Sequence, residues 1–437
     1  MFHDIFRGLL GVAVLIGLCW LLSAGRREIA WRVVIGGIAL QATLAALILL
    51  TPFGGVVDVV SGWFIKLLAF TEEGSGFLFG ELLDGKRYGF AFKVLPTIIF
   101  VSALTSLLYY LGILQRVVFG FAWVMKRLMR LSGAESLATA ANVFVGQTEA
   151  PLVVKPYVPS MTRSEIMALM TGGMATIAGS VFGLYIATLG GDDETAKLEV
   201  ARRLLTASMM NAPAALLVAK MLVPETGKVN EDLLVPRDRQ GSNLLDALAN
   251  GTVEGLRLAL NVAAMLLVFV ALIALFNAVV GWVGGLGADA ETHSAGLLDG
   301  WVRSLSGGVF EKLSLESLAG FLFAPLAWVV GADGGDLLRT GQLLGTKMVT
   351  NEFLAYAQLG AMQGAGTLGP KTIFLATFAL CGFANFSSIG IQLGGIGALA
   401  PEQRPTLAAL GFKAMIGGTL ASLLTASIAG MFFGAVG

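Results

Sequence analysis

The chain has 437 residues, of which 56% are hydrophobic and 13% charged, with 57 glycines and a mean hydropathy of +0.80, a profile outside that of ordinary soluble domains. Its 29 basic and 29 acidic side chains cancel, which argues against a nucleic-acid partner, whose phosphates need a basic surface. Cys19 and Cys381 lie far apart, and His3 and His293 fall in segment flanks, so no disulfide framework, clustered zinc site or histidine proton relay is indicated. Apolar runs of about eighteen residues or more, long enough to cross about 30 Å of hydrocarbon, recur along the chain. They are too long and too evenly apolar for the alternating strands of a barrel.

In chain order, the pattern predicts membrane helices near 8–24 and 31–51 and an amphipathic stretch at 55–70 lying along the membrane. Residues 8–24 end in Leu-Leu-Ser-Ala, like a cleavable leader, but Arg26, Arg27 and Arg32 follow at once and favour a retained first helix with an external N-terminus. A polar link from Glu72 to Arg87 leads to a helix at 92–114, then to a basic amphipathic segment at 116–131, which reads either as an interfacial helix or as a solvated loop face. Residues 136–158 are long enough to span, yet carry Gly146, Gln147, Thr148, Glu149 and Pro151 at their centre. Proline breaks the helical ladder, and freed backbone groups at membrane depth are tolerated only inside protein or around a water-filled cavity. We therefore expect a re-entrant hairpin. Helices at 164–189 and 195–222 follow, then the polar boundary Pro224–Asn243.

After that boundary come a long helix at 250–284, an acidic link, an interfacial or partly buried helix at 314–330, a second hairpin at 336–363 centred on Glu352, and helices at 371–397 and 403–434. The second half repeats the order of the first: Glu149 and Glu352 are 203 residues apart, Ser180 and Ser388 208. With the N-terminus outside, the loops carrying Arg26/Arg27, Lys126/Arg127/Arg130, Lys228/Arg237/Arg239 and Arg404 fall inside, as the distribution of basic residues requires. The hairpins then enter from opposite sides, the plan of an inverted-repeat secondary transporter. The expected fold is an all-α polytopic membrane protein with eight transmembrane helices, two re-entrant hairpins and an inverted-repeat transport domain within a scaffold. Its expected divisions are scaffold at 1–131, first repeat at 132–223, linker and scaffold at 224–330, and second repeat at 331–437.

An ionisable side chain at mid-membrane costs roughly 2.5–3.5 kcal/mol or more, which makes the two hairpin glutamates functional candidates. Gln147, Thr148 and Glu149 offer an amide, a hydroxyl and a carboxylate, groups that recognise a polar heterocycle selectively when buried. Asn385 and Ser388 lie three residues apart, on one face of a helical turn, between Gly382 and Gly390. The glycines at 172, 173, 394 and 395 fit close helix packing.

Asn142-Val143-Phe144-Val145-Gly146-Gln147-Thr148-Glu149-Ala150-Pro151-Leu152, Asn351-Glu352-Phe353 and Gly382-Phe383-Ala384-Asn385-Phe386-Ser387-Ser388-Ile389-Gly390 resemble the signature segments of the concentrative nucleoside transporters. The likeness runs from about residue 92 to the C-terminus. It implies a sodium-coupled symporter importing nucleosides such as uridine, cytidine or adenosine, with no organic cofactor, as a homotrimer in the lipid of a bacterial inner membrane with both termini outside. It further implies that Gln147, Thr148, Glu149 and Val181 face the base; that Glu352, Asn385 and Ser388 bind ribose hydroxyls beside Phe383; and that Asn142, the carbonyls of Val145 and Ile177, and Thr176 hold sodium. Some relatives carry serine where this chain has Thr176, which keeps the oxygen. A proton-coupled symporter using Glu149 or Glu352 is the alternative. An intramembrane acid–base enzyme finds no nucleophile–histidine pair or metal-ligand cluster to support it.

Overall fold

A computed structural model describes residues 2–83, 92, 95–191, 193–227, 229, 241–287 and 296–436. Asp192, His293, the Ser180 side chain and most of the stretches 84–94, 228–240 and 288–295 lie outside the described residues. The first part of the chain forms α1 (Phe2–Leu21), α2 (Trp31–Leu50), α3 (Gly54–Phe79), α4 (Leu95–Tyr110) and α5 (Ile113–Met129). The first hairpin is α6 (Gly133–Asn142) and α7 (Ala150–Val153), followed by α8 (Arg163–Ala175), α9 (Gly179–Gly190) and α10 (Glu194–Leu222). Beyond the linker come α11 (Leu244–Gly284), α12 (Leu297–Leu305) and α13 (Leu315–Val330). The second hairpin is α14 (Leu337–Val349) and α15 (Glu352–Gly364), followed by α16 (Pro370–Leu380), α17 (Phe386–Leu399), α18 (Arg404–Gly430) and α19 (Phe433–Val436).

Among the described residues, six helices, α1, α2, α3, α10, α11 and α18, are long and apolar enough to cross a membrane. The pair α4 and α5, bent by 79°, adds a seventh if taken as one span. One expectation needs correction. α3 does not stop near residue 70: it continues through Glu72 and Glu73 to Phe79, because its apolar residues outweigh that one acidic turn. The helices at 164–189 and 371–397 are each broken within their Gly/Ser-rich stretches, as the clustering of those residues leads one to expect, at Thr176–Ala178 and Cys381–Asn385. The eight crossings expected from the sequence correspond to α1, α2, α4, α8 with α9, α10, α11, α16 with α17, and α18.

Capping chemistry explains where the short elements begin. Ser132 and Glu135 form a capping box at the start of α6, and Thr162 and Glu165 form another at α8, each satisfying two backbone N–H groups that would otherwise be orphaned. Asn351 and Asn385 cap α15 and α17 by accepting from Leu354 N and Ser388 N. At about 1.5 Å per residue, the 10 residues of α6 reach about halfway and the 13 of α14 about two-thirds of the way through about 30 Å of hydrocarbon. The hairpin expectation is borne out in both halves, with starts near the predicted positions.

Packing follows the duplication. The order α5, hairpin, broken helix, α10 is repeated as α13, hairpin, broken helix, α18. α10 and α18 pack on each other at the centre, α8 and α16 both pack on α18, and α8 also packs on α10. The second arm of each hairpin reaches across to the other repeat, α7 onto α17 and α15 onto α9. α10 is 94% buried over its apolar window and α11 only 6%, so α10 is core while α11 presents its leucines outward. α11 packs on α4, whereas α1 and α2 pack on α18 and α10.

Candidate substrate and cation site

The first hairpin turns at Gly146, whose φ of 102° lies in the left-handed region open to glycine. A Cβ there would strike Ala178, which sits in the break between α8 and α9. Gly179 N donates to Phe144 O at 3.1 Å, so hairpin tip and helix break are held as one unit. The second break turns at Gly382, φ 131°, packed against the Ala175 carbonyl. Asn211 of α10 joins the two breaks: its amide donates to Ala175 O at 2.7 Å and to Cys381 O at 2.9 Å.

Four of the predicted residues are drawn into one polar network. Glu352 is 6% exposed; its carboxylate accepts from Tyr185 Oη at 2.9 Å and from Asn385 Nδ2 at 3.0 Å. It also opens α15, where the helix dipole favours negative charge. Asn385 Oδ1 accepts from Ser388 N and from Ser387 Oγ. Gln147 Nε2, from the first hairpin, donates to Ser388 Oγ at 3.1 Å, and Gln147 Oε1 accepts from Gln392 Nε2 at 3.0 Å. The hairpin glutamine and the second-repeat serine thus meet across 241 residues of sequence. Val181 is buried on α9 and Phe383 is half-buried in the second break.

Thr148 is exposed, and Glu149 is turned aside from this network. The Glu149 side chain lines a narrow cleft of about 30 Å³ together with Ser102, Thr105, Ser106 and Tyr109 of α4 and Glu254 of α11. Its Oε2 is buried without a hydrogen-bond partner among the described residues.

The predicted cation ligands lie where α6 and α8 both end. Asn142 is the last residue of α6 and 1% exposed, and neither amide atom has a hydrogen-bond partner among the described residues. It lies beside Gly172 of α8, whose missing Cβ would come within 3.5 Å of Asn142 Nδ2. Thr176, fully buried, forms the end of α8 and donates to Gly172 O at 2.9 Å. Val145 and Ile177 are buried in the tip and the break. A buried amide oxygen left unsatisfied costs about 1–3 kcal/mol, and the ends of two half-helices concentrate carbonyl charge. That combination suits a hard cation, whose preferred ligands are oxygens.

Sequence reasoning missed Tyr185, Gln392, Asn211 and Lys347. The last is 1% exposed and donates to Ala379 O at 3.0 Å. Polar residues at membrane depth were the available signal for all four. Without the fold, nothing distinguished a tyrosine or glutamine that touches the site from one that packs elsewhere.

Three family models cover nearly the whole chain: the Na+ dependent nucleoside transporter N-terminus at 10–82, the nucleoside recognition "Gate" domain at 91–192, and the Na+ dependent nucleoside transporter C-terminus at 203–430. The chain belongs to the concentrative nucleoside transporter family. Among its relatives, an uncharacterized transporter of Haemophilus influenzae is 42% identical, over 99% of this chain and 98% of that protein. The putative nucleoside permease NupX of Escherichia coli is 38% identical over 99% of both. The transporter CNTnw in an inward-facing, substrate-bound state matches with a TM-score of 0.86 at 38% identity, covering 99% of this chain and 98% of that one. A CNTnw variant in an outward-facing state matches with a TM-score of 0.87 at 38% identity, over 99% of both chains. This member of the concentrative nucleoside transporter family is therefore a transporter and not an enzyme, built on a fold that its relatives adopt in more than one access state.

Proposed function

We propose that the protein is a sodium-coupled secondary active symporter that imports nucleosides by alternating access. The observation that carries this reading is the network in which Glu352, Asn385, Ser388 and Gln147 converge from both repeats, one element away from the unsatisfied Asn142 amide. In the proposal, Glu352 accepts from the vicinal ribose hydroxyls while Asn385 and Ser388 donate or accept beside Phe383. Gln147, Thr148 and Glu149 read the base next to Val181, and a nucleoside entering the site displaces the Gln147–Ser388 hydrogen bond. Sodium is held by Asn142, Thr176 and the carbonyls of Val145 and Ile177, and it links the first hairpin to its broken helix. That link couples ion binding to the geometry of the base contacts.

The repeats at 132–223 and 331–437 form the moving unit. Because α1 and α2 pack on α18 and α10, they are assigned to that unit rather than to the scaffold expected over 1–131, which leaves α4, α5 and α11 as its core. Assembly as a homotrimer through the outward apolar face of α11, residence in a bacterial inner membrane, and external termini complete the proposal.

A specific observation favours a second reading, proton coupling: the buried Glu149 Oε2 has no partner among the described residues, and a carboxylate oxygen buried without a partner is cheaper to hold protonated than charged. Uptake of uridine, cytidine and adenosine into proteoliposomes, driven by a sodium gradient alone or a proton gradient alone, separates the two. Accumulation that ignores sodium would overturn the preferred reading. Competition by free bases and deoxyribonucleosides in the same assay tests the base and ribose contacts.

A further inference from the structure

The two repeats finish their broken helices in chemically different ways. In the first, the arm α6 presents the amide of Asn142, without a hydrogen-bond partner among the described residues, beside the end of α8. In the second, the corresponding arm α14 presents Lys347 to the end of α16. Its Nζ donates to Ala379 O, in the last turn of α16, at 3.0 Å and lies 3.4 Å from Ser422 Oγ of α18. Ser422 in turn donates to Cys381 O at 2.8 Å, and Asn211 donates to the same carbonyl at 2.9 Å. The carbonyls that close α16 are therefore occupied by donors that belong to the chain and include a cation, whereas at the end of α8 the Ala175 and Gly172 carbonyls accept only from the neutral Asn211 and Thr176.

The C-terminal end of a helix carries roughly half a negative charge, which a nearby cation offsets. Burying an ammonium is itself costly, so an apolar residue would be cheaper at position 347 if filling space were all that was needed. The second repeat places a cation at the break of its long helix, and the first repeat leaves an oxygen-lined position at its own. We infer that Lys347 is a built-in counterpart of the coupling ion, so that of two symmetry-related cation positions only the one at Asn142 exchanges ions with solution. This rests on the sodium reading above. It adds the stoichiometry: one sodium for each protomer. Lys347 is a positioning residue on this account, holding the second hairpin against α16 and α18 by a resident charge throughout the cycle, whereas the first hairpin, held at its tip by the Gly179–Phe144 backbone bond, gains its cationic link only when sodium is bound.

The test is a count of ²²Na⁺ bound at saturation by the purified full-length protein in mild detergent with uridine present, for wild type and Lys347→Gln. Wild type should bind one ion per protomer. Lys347→Gln, which removes the internal charge and leaves an amide at the end of α16, should bind two. A merely structural lysine would leave the count unchanged in any variant that folds. Two ions on wild type, or one on Lys347→Gln, would overturn the inference while leaving sodium coupling intact. No ion on either protein would instead remove the symport reading and this inference with it. If Lys347→Gln does not fold, Lys347→Asn, which copies the amide of Asn142, is counted in its place, and the wild-type count remains decisive against the inference on its own.

Discussion

At Glu352, two donors converge on one buried carboxylate, Tyr185 from α9 and Asn385 from the second break. Such preorganisation matters because a hydrogen bond to a charged group contributes about 1.5–3 kcal/mol, more than a neutral one. Glu352→Gln retains the shape and loses the charge. Calorimetry should show uridine affinity falling about tenfold to a hundredfold, with little change in thermal stability; unchanged affinity would reject the ribose role. Asn142 makes the opposite case, a buried amide that no described residue satisfies. Replacing Asn142 with Ala, or Thr176 with Val, removes a candidate oxygen ligand. The sodium concentration for half-maximal uptake should rise in both, and a sodium curve that overlays wild type would exclude these residues as ligands.

Among the elements, the two broken helices do most to shape the site, and each break depends on a glycine or small residue at a point of close approach. Gly382 has φ 131° and packs directly on the Ala175 carbonyl, so a side chain there is strained by both conformation and contact. Gly382→Ala should lower the midpoint of thermal unfolding in detergent and weaken nucleoside binding together, since one break carries both Phe383 and Asn385. The far end of α10 is held differently. Lys220 pairs with the buried Glu135 of α6 at 2.7 Å and with Glu225 at 3.1 Å. Burial raises the Glu225 carboxyl, but the Lys220 ammonium, the Gly227 N–H and the Thr162 hydroxyl outweigh it and hold the group below its ordinary value. A carboxyl lowered in the folded state contributes stability above its unfolded pKa of about 4.3, and that stability is lost as pH falls through the lower folded value. Thermal stability should therefore decline on acidification below about pH 4.3, and Glu225→Gln should be less stable at neutral pH but show a shallower acid slope.

Over the whole molecule, burial separates a core from a frame. α10 and α18 form the pseudo-symmetric centre, each hairpin crosses to the opposite repeat, and α11 exposes Leu245, Leu260, Leu267, Leu275 and Trp282 outward. An apolar face of that length is satisfied by lipid or by copies of the same chain. The proposed trimer predicts three-protomer particles by native mass spectrometry in mild detergent, and that charged substitutions at Leu260 and Leu267 reduce them to monomers. A wild-type monomer under those conditions would count against the assembly.

How much was legible in advance depended on the range of the interaction. Hydropathy and length alone identified a polytopic helical protein, because a membrane span is a local property of about twenty residues. Glycine and proline beside Glu149 marked the first hairpin for the same local reason, the polar cluster Thr350-Asn351-Glu352 marked the second, and the similar offsets of Glu149 to Glu352 and Ser180 to Ser388 exposed the duplication. The helix breaks were only half visible: glycine and serine clusters signalled weakness, but whether a helix continues depends on what satisfies its freed carbonyls. Here Asn211 and Ser422 do so at Cys381 from two other helices. Tertiary structure alone decided that Gln147 bonds to Ser388, that Tyr185 joins Glu352, that Glu149 faces α4 and α11, and that Lys347 fills the end of α16. Those partners lie 32 to 241 residues apart, and only the packing of α10 on α18, with the hairpins crossing between repeats, brings them within hydrogen-bonding distance.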